Sequence, residues 1–225
     1  MDTLLHYLPP EIEYIIALIR PYDGEGFLFL VAEIVIVLIA LQALAMMIHL
    51  LLNKQLAWSS KPYSGTGTGS RKILILGDST AVGTGAAQSS DTIAGRLAHD
   101  FPDSHIVNAG MNGGLIRDLR AQIAPYLNET FDLIIVSAGG NDVWHLTRLG
   151  RMSQELHYVF TELVRMSNHH VIFLNYNLVV AAPLFPRILQ FFLKVRGDAV
   201  HRTIRTVART NQIPVIELFT KDVDP

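Results

Sequence analysis

From Phe27 to Leu52 the chain is apolar, interrupted only by Glu33, Gln42 and His49. A helix buried in a soluble core would show an apolar stripe, whereas this run is apolar on all faces, and about 20 such residues cross the hydrocarbon of a bilayer. The pattern predicts one transmembrane helix over residues 27–52, with a buried core helix as the alternative. A cleavable signal is disfavoured by the length of the run, the mostly acidic 26 residues before it and the lack of a small-residue cleavage pattern after it. Within residues 1–26, Ile12, Ile15, Ile16 and Ile19 recur at helical spacing behind Pro9-Pro10, which reads as a short amphipathic segment. Residues 53–70 include Gly65-Thr66-Gly67-Thr68-Gly69, the composition of a flexible linker.

Beyond residue 71 the pattern changes to short apolar runs near 72, 105, 132, 170 and 213, separated by amphipathic patterns at about 86–100, 114–127, 151–167 and 187–210. Runs such as Ile73-Leu74-Ile75-Leu76 carry no charge, as strands buried on both faces do. Strands alternating with helices predict an α/β three-layer sandwich with a five-stranded parallel sheet. The roughly 150 residues of 71–225 suffice for one core.

Composition narrows the chemistry. The chain has no Cys, which removes disulfides, thiolate catalysis and Cys-based zinc sites. From Arg71 onward it holds 15 basic and 14 acidic residues, so no basic footprint for nucleic acid is present. The glycines of 65–69 precede a strand and no Gly-Lys-Ser/Thr ends the run, which argues against a phosphate loop.

Three apolar runs end in small polar turns. Ile73–Leu76 leads to Gly77-Asp78-Ser79-Thr80, Ile106-Val107 to Asn108-Ala109-Gly110, and Leu133–Val136 to Ser137-Ala138-Gly139-Gly140-Asn141-Asp142. If the runs are parallel strands, all three turns fall on one edge of the sheet. Ser79 is then a candidate nucleophile near a helix amino end, where N–H groups favour developing negative charge, and its ordinary alternative is a helix N-cap. A backbone N–H on Gly110 and the Asn141 amide are candidate oxyanion donors, with Asp78 and Asp142 in support.

The ordered blocks Gly77-Asp78-Ser79, Gly110 after Asn108-Ala109, and Gly139-Gly140-Asn141-Asp142 resemble those of the SGNH/GDSL hydrolase family over about residues 71–220. The resemblance implies a flavodoxin-like fold and a serine ester hydrolase acting on lipids, acylated sugars or thioesters. Carried over, Ser79 is the nucleophile, and its own N–H, Gly110 and Asn141 form the oxyanion hole. No metal or organic cofactor is implied.

The family also places an Asp-x-x-His block after the last strand, the His activating the Ser. Here Ile213–Phe219 reads as that strand, and neither Asp222 nor Asp224 is followed by His three residues on. The chain reads as C-terminally incomplete, with weak or no activity expected of it. His145, three residues beyond Asp142, is the best-placed substitute base; its alternative is a surface turn. His157, His169, His170 and His201 read as surface or packing residues.

Lys54, Lys61, Arg71 and Lys72 follow the apolar run, against Arg20 alone before it. Positive charge favours the cytoplasmic side, so the domain is expected in the cytoplasm, with a periplasmic or extracellular domain as the alternative. The segment Leu178–Leu193 should hang over the edge that carries Ser79; it lines an acyl pocket, touches the bilayer or simply packs. The expected partners are an ester-containing small molecule or lipid, and a membrane through residues 27–52. The alternative function is a catalytically silent module that binds an acyl or glycan ligand or a membrane partner.

Overall fold

The computed structural model describes residues 24–175 and 187–218. The expectations for the amphipathic segment, for Leu178–Pro186, and for Asp222 and Asp224 lie outside these residues.

The chain divides into two units, residues 1–52 and 53–225. The first contains most of helix α1, Gly24–Ser59. Within α1 the 20 residues Gly26–Ala45 are long and apolar enough to cross a membrane, and none is buried against protein.

In the second unit the elements run β1 (Gly65–Thr66), β2 (Lys72–Gly77), α2 (Ser79–Val82), α3 (Ile93–Asp100), β3 (His105–Asn108), α4 (Leu119–Ile123), β4 (Leu133–Ser137), α5 (Gly140–Trp144), α6 (Leu149–Ser167), β5 (Val171–Asn175), α7 (Arg187–Thr210) and β6 (Val215–Glu217). The sheet order is β1-β3-β2-β4-β5-β6. Five strands are parallel, as the apolar runs predicted. A sixth, β1, joins antiparallel to β3 from within the glycine-rich stretch, pairing Gly65 with Ile106 and Thr66 with His105. The order of the parallel strands reverses around β2, and in open α/β sheets the crevice at such a switch point, outside the carboxyl ends of the strands, is where ligands bind.

Side chains alternate across the sheet. Leu74, Leu76, Ile134, Val136, Val171 and Phe173 pack on one face with Ile116, Leu119, Leu156, Phe160, Val200 and Ile204 from α4, its preceding turn, α6 and α7. Ile73, Ile75, Ile106 and Ile135 pack on the other with Ala81 of α2 and Ala94 of α3. Full burial of each such residue contributes about 1.5–3 kcal/mol against exposure, which is why the runs carry no charge. The second face thins toward the far edge: Ile172 and Leu174 are half-buried, and Ile216 is 46% exposed.

Two expected helices are shorter than their patterns. Residues 86–92 form turns and one 3-10 turn, Ser89–Asp91, before Thr92 caps α3 by accepting from the Gly95 N–H at 3.0 Å. Four consecutive polar residues, Ser89 to Thr92, offer side-chain bonds that compete with a helix. The 114–127 pattern breaks into a 3-10 turn, α4 and a second 3-10 turn containing Pro125. The expected helices 151–167 and 187–210 correspond to α6 and α7.

Candidate active site

The three turns lie at the carboxyl ends of β2, β3 and β4, which are neighbours in the sheet. Ser79 opens α2. Before it, Gly77 takes φ +138°, and a Cβ there would fall 1.8 Å from the Ser137 carbonyl oxygen, so only glycine lets β2 leave the sheet beside β4. Asp78 follows fully buried; its N–H donates to the Ser137 carbonyl at 2.9 Å, and its carboxylate accepts from the Thr80 N–H at 2.9 Å as the N-cap of α2. These bonds fix the turn that presents Ser79. Ser79 is half-buried, and no side chain among the described residues hydrogen-bonds its hydroxyl.

Gln122, which sequence reasoning missed, completes this brace. Its amide accepts from the Gly77 N–H at 2.8 Å and donates to the Gly77 carbonyl at 2.9 Å, both bonds buried. The Met111 N–H donates to the same carbonyl at 2.9 Å. The available signal was a lone amide within the apolar pattern of Ile116, Leu119 and Ile123.

The turn after β3 is held by Asn108, which donates to the Ala81 carbonyl of α2 at 2.8 Å and accepts the Gly110 N–H at 3.0 Å. Gly110 lies against α2, where a Cβ would come 2.9 Å from the Val82 nitrogen. The N–H expected to face an oxyanion is therefore engaged within its own loop. Three residues on, the Gly113 N–H has no hydrogen-bond partner among the described residues, and the adjacent Asn112 side chain accepts from the Thr84 hydroxyl at 2.6 Å. A second glycine in the same turn was the sequence signal for it.

Asn141 lies on α5, half-buried, and its amide donates one hydrogen to the Gly114 carbonyl at 3.0 Å, which fixes the amide and leaves its second N–H. Asp142 beside it is buried and accepts from the Ile116 N–H at 2.9 Å. Burial pushes its carboxyl above the usual range, opposed by that hydrogen bond. His145 is exposed, its Nδ1 2.9 Å from the Asn141 carbonyl, and it does not hydrogen-bond Ser79. His201 is buried on α7, with its Nδ1 unpartnered among the described residues and its pKa held down by burial.

A groove of about 530 Å³ lies elsewhere, lined by residues 68–71 before β2 and 100–104 before β3, with the Arg71 guanidinium 5.0 Å from the Phe101 ring centre. It opens at the opposite ends of the strands from Ser79 and takes no part in this arrangement. Among the described residues no group of three His, Asp or Glu side chains is placed to hold a metal.

The family model for the GDSL-like lipase/acylhydrolase family matches residues 75–225. Among solved structures the fold is similar to AlinE4, an SGNH-hydrolase family esterase, at 21% identity and a TM-score of 0.51, covering 67% of this chain and 77% of that one. It is similar to the lipase/acylhydrolase from Enterococcus faecalis at 21% identity and 0.52, covering 66% and 76%. It is also similar to an extracellular lipase from Streptomyces rimosus at 18% identity and 0.51, covering 66% and 80%. No curated protein matches the chain.

Proposed function

Because the chain belongs to the GDSL-like lipase/acylhydrolase family, we propose that it is a membrane-anchored ester hydrolase in which Ser79 is the nucleophile. The observation that carries the reading is the convergence of Ser79, the β3 turn and Asn141 on one sheet edge, with the Ser79 hydroxyl engaged by no other side chain among the described residues.

In this reading Ser79 Oγ attacks the ester carbonyl carbon and its proton passes to a base. The tetrahedral oxyanion then sits against the Ser79 N–H, the second N–H of Asn141, and an N–H of the β3 turn. Gly113 supplies that third donor in place of Gly110, whose N–H Asn108 already occupies. Loss of one such donor typically costs about 10²–10³ in rate. Collapse expels the alcohol, and water releases the acid from the serine ester.

Among the described residues no imidazole hydrogen-bonds Ser79, so in this reading the nucleophile has no engaged base there and turnover is slow. General-base assistance is worth about 10²–10⁴ in rate. The test compares hydrolysis of soluble nitrophenyl esters by the chain and by Ser79→Ala and His145→Ala. Slow turnover, lowered further only by Ser79→Ala, supports the reading. Fast turnover lost in His145→Ala would make His145 the base and overturn its baseless state. That no imidazole engages Ser79 among the described residues favours a second reading, a silent acyl- or glycan-binding module; binding of ester analogues with no hydrolysis at all would select it.

Residues 27–52 are the anchor in this proposal and 71–225 the hydrolase domain, turned to the cytoplasm by the basic residues from Lys54 to Lys72. Protease protection in sealed vesicles reports the side.

A further inference from the structure

Two segments at the carboxyl edge of the sheet turn apolar side chains toward solvent. After α5, Leu146 is 68% exposed, and on the first turns of α7 Phe191 and Phe192 are each 63% exposed, with Val195 beside them at 51%. The two phenyl rings stand edge to face with their centres 6.0 Å apart. The segments belong to one surface. Arg196 of α7 donates to the Thr147 carbonyl, and Val200 and Ile204 of α7 lie directly over Gly139 at the start of α5. On α7 the exposed positions 191, 192 and 195 share one helix face, while Leu193, Val200 and Ile204 point into the core.

The charge near these rings is mostly positive, Asp198, one turn beyond Val195 on α7, being the acid closest to them along the helix. Residues 144–152 and 187–196 together contain Arg148, Arg151, Arg187, Lys194 and Arg196 and no Asp or Glu, in a chain of net charge −2. Arg148, Arg151 and Lys194 are exposed. Aromatic and aliphatic side chains rimmed by cations match the interface of an anionic bilayer, apolar below and negative at the headgroups. A monomeric soluble surface seldom shows such a patch without a partner.

We propose that this patch, Leu146, Phe191, Phe192 and Val195 with the exposed Arg148, Arg151 and Lys194 of the same segments, docks the domain on an anionic lipid bilayer. The proposal rests on the reading of the chain as a membrane-anchored ester hydrolase, and it deepens that reading: the patch is on the same sheet edge as Ser79, so lipid-borne esters meet the nucleophile from the bilayer side. The apolar helix Gly26–Ala45 on the same chain keeps a membrane within reach.

The experiment uses the full chain carrying Trp58→Phe, which leaves Trp144, two residues from Leu146, as the only tryptophan. It is reconstituted into vesicles of phosphatidylcholine with or without phosphatidylglycerol, and Trp144 fluorescence is quenched with lipids brominated along the acyl chain. Docking predicts quenching in the phosphatidylglycerol vesicles that falls by roughly half or more in Phe191→Ser/Phe192→Ser, a loss of apolar contact at exposed positions. It also predicts weaker quenching at high salt. Circular dichroism verifies that the double variant keeps its fold. Quenching absent in both vesicles, or unchanged by the double variant, overturns the proposal. A double variant that changes the sedimentation of the chain in detergent but not the quenching assigns the patch to a second copy of the chain. The readout needs no turnover, so docking fails or holds independently of whether any ester is hydrolysed.

Discussion

The two halves of the sheet are built differently. Around β2, β3 and β4, side chains are bonded to buried backbone: Gln122 to both polar groups of Gly77, Asn108 to Ala81 and Gly110, Asn141 to Gly114, and Asp142 to Ile116. Around β5 and β6 the polar contacts join side chains to side chains. Asn175 donates to Glu217 at 2.7 Å, and Arg205 pairs with Glu217 at 2.8 Å with both partners part-exposed. One face of β6 is bare at Ile216. Groups that must hold still while charge develops need holding by the protein interior, and the proposed nucleophile Ser79 and its proposed donors belong to that half. The other half holds no such constellation among the described residues.

The largest effect should come from Gly77→Ala. A Cβ 1.8 Å from the Ser137 carbonyl leaves no room for relaxation, because the clash is with backbone. Denaturant unfolding of the chain in detergent should show a loss of about 4 kcal/mol or more, or no folded domain at all. A loss under about 1 kcal/mol would mean the β2 exit is not rigid, and the comparison would break.

Gln122→Leu comes next. It leaves the Gly77 N–H buried and unpaired, while the Gly77 carbonyl keeps Met111. The expected loss is about 1–3 kcal/mol, with slower Ser79-dependent hydrolysis if Ser79 is the nucleophile as proposed, since the brace positions that residue. Gln122→Glu keeps an acceptor for the Gly77 N–H and should recover part of the stability at low pH.

His201 lies in the looser half, facing Glu217, Arg205 and Asp198, and its folded pKa is below the ordinary 6.5. The unfolded chain therefore binds a proton that the folded one refuses. Stability is full above about 6.5 and falls as pH drops from there to the folded pKa. His201→Gln should flatten that acid limb and leave the stability at pH 8 nearly unchanged; a limb of the same slope in the variant would assign it to other groups.

The smallest effect belongs to Glu217→Gln. Its pair with Arg205 is part-exposed, and Gln retains an acceptor for Asn175, so the loss should not exceed about 1 kcal/mol and should shrink with added salt. A loss equal to that of Gln122→Leu would erase the distinction between the halves.

Strands β2 and β4 were legible as runs of buried aliphatic residues and β3, β5 and β6 as short apolar runs, and α6 and α7 because their apolar positions recur over many turns. The edge strand β1 was not: two residues, one a glycine, show no period, and their pairing depends on Ile106, 41 positions away. The blocks holding Ser79, Gly110 and Asn141 could be read as strand ends. What each N–H bonds could not, since the Asn108 side chain that occupies Gly110, and Gln122 that clamps Gly77 across 45 residues, are tertiary choices. Residues 86–92 misled because alanine and spacing favoured a helix while Ser89 to Thr92 offered the backbone competing partners.

Helix α2 is a single turn, closed at Gly83, whose N–H returns to the Ser79 and Thr80 carbonyls. Its carbonyl end is thus only one turn from Ser79, and the opposing partial charges of so short a helix largely cancel at a distance. Whatever steadies an anion at Ser79 must act through individual N–H groups in contact with it. The electrostatics of this edge are short-ranged, so distant surface charges can be exchanged with little consequence for the chemistry, whereas a displacement of one amide by an ångström cannot be compensated from afar.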